Sequence, residues 1–402
     1  TNISIDNYVD KHLIPQFKEL VDKFKPSVIF FFLFWDFNHQ SFRSNEMVQY
    51  YYDVVGEEGI VNDRWGIGFN HGYATPEYSS GIMDKNRPWA ECRGLSRSFA
   101  LNRNADLETY LTSEDLIKHF ARLVAAGGGL TINVGPSADG KIPLLQQERL
   151  LDLGQWIKVN EEAIYGSRPF ETVYQNQDMI TNRIDEQINF NWVRNSPSKG
   201  VSEDNFSIFW KSNITPTQTD TYTIYLEADE EAGLEIKDDE GKTILRLASQ
   251  KEEVKHKVKL KKDHNYTFEL SYQEKTHEAV VKLSWECSQF EKQPIKSQWN
   301  GEVSWENTYV CFTKNKGNLY AISLEPISNS LTFKLDKAPE VGMKIYLLGE
   351  RTIEIPWQYD YENNKITLDT REITPSNITT KGAWVFKLDN YINYIQNHKA
   401  SL

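Results

Sequence analysis

The chain has 402 residues, 39% hydrophobic and 25% charged, the balance of a folded globular protein rather than a disordered one, and its length points to two or three domains. A formal net charge of −12 and a pI near 5.3 argue against nucleic acid or an anionic membrane surface as partner. Three cysteines, Cys92, Cys287 and Cys311, are too few for a disulfide framework and lack the paired spacing of a zinc site.

In chain order, Tyr8 to Phe24 places Val9, Leu13, Phe17, Leu20, Val21 and Phe24 at helical spacing, with Pro15 as a kink or restart. The run Val28–Phe34 follows Lys25-Pro26 and reads as a fully buried parallel strand. Extended to Trp35 it is the longest apolar run, far short of the ~20 residues of a membrane helix. A helix over Ser44–Val55 and a strand at Gly59-Ile60-Val61 come next. Thr112-Ser113 opens another helix, with Leu116, Ile117, Phe120, Leu123 and Val124 on one face. Gly127-Gly128-Gly129 ends it and leads into a strand over Leu130–Val134, stopped by Gly135-Pro136. A helix over Pro143–Lys158 closes the region. This alternation predicts a parallel sheet or barrel, with about half of eight βα units present.

Beyond Thr172 the period changes to two. Phe206–Trp210, Tyr222–Leu226, Val258–Leu260, Tyr266–Leu270 and Val280–Trp285 alternate as strands. A polar stretch at Ser288–Ser297 precedes a second series: a hairpin Tyr309–Thr313/Leu319–Leu324 around Lys316-Gly317, then Leu331–Leu335, Lys344–Leu348, Lys365–Leu368 and Trp384–Leu388. Two successive β-sandwiches are expected. Aromatic residues make up 13%, with 11 Trp and 20 Tyr, which suits either β-rich cores or stacking against pyranose faces. Sequons at Asn2, Asn205, Asn213, Asn265 and Asn377 fit a secretory, periplasmic or lysosomal-type compartment.

In a parallel barrel, residues just past the strand ends line the active site. Three segments fall at such ends: Val61-Asn62-Asp63-Arg64-Trp65-Gly66, Ala74-Thr75-Pro76-Glu77-Tyr78, and Pro88–Gly94 running on to Asn104. Arg64 offers a sugar hydroxyl two donors from a fixed plane. Glu77 stands among neutral and aromatic neighbours, surroundings that favour a general acid. Singly, each has an ordinary explanation: Arg64 paired with Asp63 or Glu91, and Glu77 as a solvated loop charge.

Together, the runs Val61–Gly66, Thr75–Tyr78, Trp89–Asn104, Gly128–Gly140 and Gly154–Pro169 resemble glycoside hydrolase family 29, the retaining α-L-fucosidases. The resemblance covers roughly residues 5–172 and resumes from Tyr309 to Leu388. Between them, Asn205–Trp210, Ile214-Thr215-Pro216, Asp220–Leu226 and Val281–Trp285 resemble the protective-antigen-like module, a β-sandwich inserted in many carbohydrate-active proteins. The implied fold class is multidomain α/β plus all-β: the C-terminal half of a (β/α)8-type barrel at 1–172, an inserted β-sandwich at 178–296, and a C-terminal β-sandwich at 300–392. Sugar-binding members of the module hold Ca²⁺ with consecutive Asp residues. Here the pair is Asp229-Glu230, so a spacer or docking role is expected instead.

The resemblance implies an exo-acting retaining α-L-fucosidase, without cofactor or metal, acting on terminal fucose of glycans or oligosaccharides; it leaves the oligomeric state open. Glu77 is the candidate acid/base. Arg64, Trp65, Trp89 and Phe99 are the expected substrate contacts, with Phe99 against the fucose methyl. Such enzymes need two carboxylates ~5–5.5 Å apart. Aligning on Val28 and Trp35, however, places Phe32 where the family nucleophile Asp belongs. A phenyl ring cannot attack an anomeric carbon. Three accounts stay open: the sequence is assigned imperfectly in this segment, the chain is an inactivated fucose-binding or glycan-adhesion relative, or Asp36 substitutes. The family also carries the first half of its barrel, with fucose-binding histidines, upstream of the position of Thr1; a half-barrel exposes a strand edge, so a further segment is expected. A third and weaker reading is a scaffold presenting the inserted module.

Overall fold

Ser4 caps the first helical stretch, its Oγ accepting from the Asn7 N–H. In the computed structural model that stretch is α1 (Ile5–Tyr8), a π-helical turn over Val9–Leu13, and α2 (Ile14–Phe24). Pro15 sits in the first turn of α2, where its missing N–H costs no helical bond. The restart thus falls where Pro15 predicts it, while the π turn has no signature in the apolar spacing. The structure describes residues 4–32, 37–78, 87–193, 196–198, 200–201, 205–275, 279–349, 353–376, 378 and 380–399. They divide into two compact units, Thr1–Val173 with Cys311–Leu402, and Tyr174–Val310.

In the first unit, strand β1 (Val28–Ile29) pairs in parallel with β2 (Ile60–Val61), and α3 (Ser44–Val55) connects them. Parallel bridges Asn62↔Tyr73, Ala74↔Trp89 and Glu77↔Cys92 carry the pattern through the extended segment 73–77 to β3 (Ala90–Gly94). That strand in turn pairs in parallel with β4 (Gly129–Asn133) across α4 (Ser113–Ala125). Thr112 caps α4 by accepting from the Asp115 N–H, as the Thr112-Ser113 start predicts. Five parallel ribs therefore follow one another in chain order. Phe17, Val21, Met47, Tyr51 and Trp65 fill the layer between the first ribs and their helices.

One expectation is corrected here. The run from Val28 is not a fully buried strand: Ile29 is buried against α2 and α3, but Val28, Phe30 and Phe32 are exposed. The pleat sends alternate residues to opposite faces, and only one face of this rib is covered. Leu33, Phe34, Trp35 and Asp36 lie outside the described residues.

Helix α5 (Leu144–Val159) and the short α6 (Glu161–Ile164) join this layer to the C-terminal strands of the same unit. The buried Trp156 Nε1 donates to Ala383 O at 2.8 Å, and Thr313 Oγ1 donates to Ala163 O at 2.8 Å. The chain leaves this unit within β5 (Arg168–Gln187) and returns within β13 (Lys296–Asn315). The hairpin from β13 to β14 (Asn318–Ser323) turns at Lys316 (φ 46°) and Gly317 (φ 83°), two left-handed residues as a tight hairpin requires. β20 (Trp384–Leu388) pairs antiparallel with β14 and with β16 (Ile345–Leu347). A second sheet, β15 (Ser330–Lys334), β19 (Lys365–Asp369) and β18 (Trp357–Asp360), packs Phe333 against Phe312, with ring centroids 5.4 Å apart.

In the second unit β7 (Phe206–Ile214), β10 (Tyr266–Glu274), β8 (Asp220–Lys237) and β11 (Ala279–Cys287) lie side by side, with β9 (Thr243–Leu260) paired along β8. These pairs, and those of β11 with β6 (Asn189–Val193) and β12 (Phe290–Pro294) and of β7 with β13, are antiparallel. Trp210, Trp299, Tyr222, Phe268 and Tyr272 form its core. β8 and β9 run 18 residues each, far beyond the short apolar pieces visible in the sequence. Charged residues such as Glu231, Glu235, Lys255 and Lys257 occupy partly or fully exposed positions along them and hide the alternation. Asp229 Oδ1 accepts from the Tyr272 hydroxyl and the Val280 N–H, both at 2.9 Å, so its carboxylate is used inside the sheet.

Candidate active site

The parallel ribs present one face to the helices and one away from them. Ile29, Trp65, Trp89 and Glu91 fall on the helix side: Trp89 packs with Leu123 of α4, and Glu91 pairs with His119 of the same helix. Phe30, Phe32, Arg64, Glu77 and Cys92 converge on the other side. Gly128 marks the helix-side contact, because a Cβ there would sit 2.3 Å from the Trp89 ring.

Arg64 is the hub of the open face. Its side chain is buried; Nε donates to Thr75 Oγ1 at 2.8 Å, Nη2 to Thr75 O at 2.6 Å, and Nη1 to Glu77 Oε1. The guanidinium carbon lies 5.1 Å from the Phe32 ring centroid and 5.6 Å from that of Phe30. Asp63 Oδ1 accepts from Thr75 Oγ1 at 2.7 Å, and Asp63 Oδ2 lies 3.2 Å from Arg87 Nη2. Glu77 is therefore not a free loop charge, and the acid beside Arg64 in the sequence, Asp63, serves Thr75 and Arg87.

Next to Glu77, Tyr78 adopts a left-handed backbone (φ 46°), and its hydroxyl accepts from the Gly94 N–H at 3.0 Å and donates to Ser96 O at 3.1 Å. Phe99 meets the Tyr78 ring edge-on at 5.1 Å and is partly exposed. Asn133, at the end of β4, holds the Phe99 carbonyl. Burial pushes the Cys92 thiol up, against the lowering influence of Arg64, so it stays protonated at neutral pH.

The predicted residues thus separate. Arg64, Glu77 and Phe32 are brought together, and Phe99 stands beside them through Tyr78. Trp65 and Trp89 do not join them, which corrects their expected role as sugar contacts. Trp65 is fully buried and stacks on Phe31 at 4.3 Å; Trp89 lies under Gly128. Phe30 was missed beside the candidate site, and Thr75 and Cys92 were named only within their segments, without a role. Their position two residues from Glu77 and Phe32, or opposite Glu77 in the register, is the signal that could have found them. A separate cavity of about 490 Å³, lined by Val28, Ile60, Gly72 and Pro88, lies at the strand starts. Arg64 and Glu77 lie four residues further along their ribs, on the order of 13 Å away.

An α/β layer with an ion-paired acid at its strand ends, in a chain that also carries an all-β unit, defines the class: a multidomain α/β plus all-β protein. Residues 1–162 match the alpha-L-fucosidase family model and residues 163–299 the PA14 domain model. It is 34% identical over 160 residues to an alpha-L-fucosidase of Branchiostoma floridae, a match covering 38% of this chain and 35% of that protein. It is 32% identical over 210 residues to the plasma alpha-L-fucosidase of Rattus norvegicus, covering 50% of this chain and 43% of that one. Each match spans less than half of the relative's length. The crystal structure of Thermotoga maritima alpha-fucosidase in complex with a mechanism based inhibitor superposes with a TM-score of 0.51 at 18% identity, covering 95% of this chain and 57% of that chain, a likeness of fold.

Proposed function

We propose that the open face of the parallel ribs is one wall of a fucose-recognising site, and that the protein hydrolyses terminal α-L-fucose from glycans or oligosaccharides. The observation that carries this reading is the pairing of Arg64 with Glu77 beside the exposed rings of Phe30 and Phe32. Glu77 is partly exposed at the strand end, where a carboxyl can reach a glycosidic oxygen, and Arg64 holds it in place. Phe99 offers an apolar surface to the sugar methyl, a contact of about 1 kcal/mol. Phe30 and Phe32 leave a half-covered apolar face of the kind that the interior of a (β/α)8 barrel would bury. Residues 1–172, 178–296 and 300–392 are read as barrel segment, inserted module and C-terminal sandwich. A secretory, periplasmic or lysosomal-type compartment accords with the plasma and tissue relatives.

A second reading is favoured by Phe32. A retaining reaction needs a nucleophilic carboxylate opposite the acid. At that position stands a ring in contact with Arg64, and Asp36 lies outside the described residues. On this reading the protein binds fucose without cleaving it. An aryl α-L-fucoside assay alongside fucose titration calorimetry separates the two. Turnover supports hydrolysis; binding without turnover supports recognition alone. Neither binding nor turnover overturns both.

A further inference from the structure

We propose that Thr75 is a positioning residue that fixes the Arg64 guanidinium so that one of its amino groups is held on Glu77. The proposal deepens the fucose-recognition reading and rests on it for its functional consequence. Thr75 is 5% exposed and meets Arg64 through two different atoms. Its hydroxyl has one proton, donated to Asp63 Oδ1 at 2.7 Å, which leaves a lone pair for Arg64 Nε at 2.8 Å. The Thr75 N–H donates to the same Asp63 oxygen at 3.1 Å, so residue and carboxylate form a closed pair. Arg87 lies 3.2 Å from the other Asp63 oxygen. The Thr75 carbonyl accepts from Arg64 Nη2 at 2.6 Å. One residue therefore occupies a whole edge of the planar guanidinium and turns Nη1 towards Glu77. Asp63 sets the polarity: a carboxylate only accepts, so the hydroxyl proton cannot turn towards Arg64.

The test measures water exchange of the Arg64 Nε–H by ¹⁵N NMR on the full chain, the signal assigned by its loss in Arg64→Lys. Thr75→Val keeps the shape and removes the hydroxyl; exchange should quicken about tenfold, the scale of one hydrogen bond to a charged group. Thr75→Ser should restore the original rate. In the same variants the fucose dissociation constant should rise with Val and recover with Ser. An unchanged Nε–H rate in folded Thr75→Val overturns the proposal. Faster exchange with no fucose bound by any of the chains upholds the positioning role and sinks the fucose reading instead. If Thr75→Val does not fold, Thr75→Ala, which also removes the hydroxyl, takes the same measurement with the same expected acceleration, and an unchanged rate there is equally fatal.

Discussion

The guanidinium carbon of Arg64 lies 5.1 Å from the ring centroid of Phe32, so a cation faces an aromatic plane where the family resemblance expects a carboxylate. On the proposed reading this contact decides whether the site cleaves or only binds. Phe32→Asp should place an acceptor beside Arg64 and open the covalent route. Mass spectrometry after incubation with a 2-fluoro-fucosyl donor should find a stable adduct on the variant, while on the unaltered chain an adduct supports hydrolysis and its absence supports recognition alone. An adduct on the unaltered chain would reveal a different nucleophile.

In a chain that turns over, Glu77→Ala should slow cleavage of fucosides with poor leaving groups by ~10²–10⁴-fold. Fucosyl fluoride, whose departure needs little protonation, should be spared. Steady-state rates on the two donor types check this; equal losses on both would remove Glu77 from the acid's role.

Gly128 admits no side chain, because a Cβ would fall 2.3 Å from the Trp89 ring. Gly128→Ala should therefore destabilise the first unit by about 1–3 kcal/mol, the usual cost of overpacking. Thermal denaturation should show a lower midpoint, and Trp89→Leu in the same background should recover part of it.

Trp156 ties α5 to the segment before β20 through its 2.8 Å bond to Ala383 O. Trp156→Phe keeps most of the ring and leaves that buried carbonyl without its donor, a loss of roughly 1–3 kcal/mol. Urea unfolding should show a reduced midpoint with an unchanged slope.

Glu235, on β8, is held down to about 2 by hydrogen bonds from Thr243 and then Arg246, against an ordinary value of 4.5. A depressed carboxyl stabilises the fold above its unfolded value and loses that contribution as pH falls from about 4.5 towards 2. Carboxyl NMR should find its midpoint near the lower figure. In Thr243→Val the midpoint should move up towards the ordinary range, and the acid unfolding limb should flatten.

The helices and strands of the first unit were legible because their apolar spacing is regular and their caps are explicit, as at Thr112 and Pro15. The hairpin at Lys316-Gly317 was legible because two left-handed positions leave few choices of residue. The long strands β8 and β9 were not, since charged side chains on an exposed face hide alternation without opposing it. The π turn at Val9–Leu13 left no pattern at all.

For the site, the order of motifs from Val61 to Asn104 and the alignment that sets Phe32 where the resemblance expects a nucleophile are readings of the sequence alone. It could not say which of two neighbouring residues faces a ligand. Arg64 and Trp65 are adjacent, yet one reaches Glu77 and the other is sealed against Phe31. That choice depends on the pleat, which sends neighbours to opposite faces, and on the packing of α2 and α3, which determines the buried face. Parallel pairing then brought Arg64 to a glutamate 13 residues away and gave its edge to Thr75. Contacts of that kind arise from register between strands, and register is settled only when the whole layer packs.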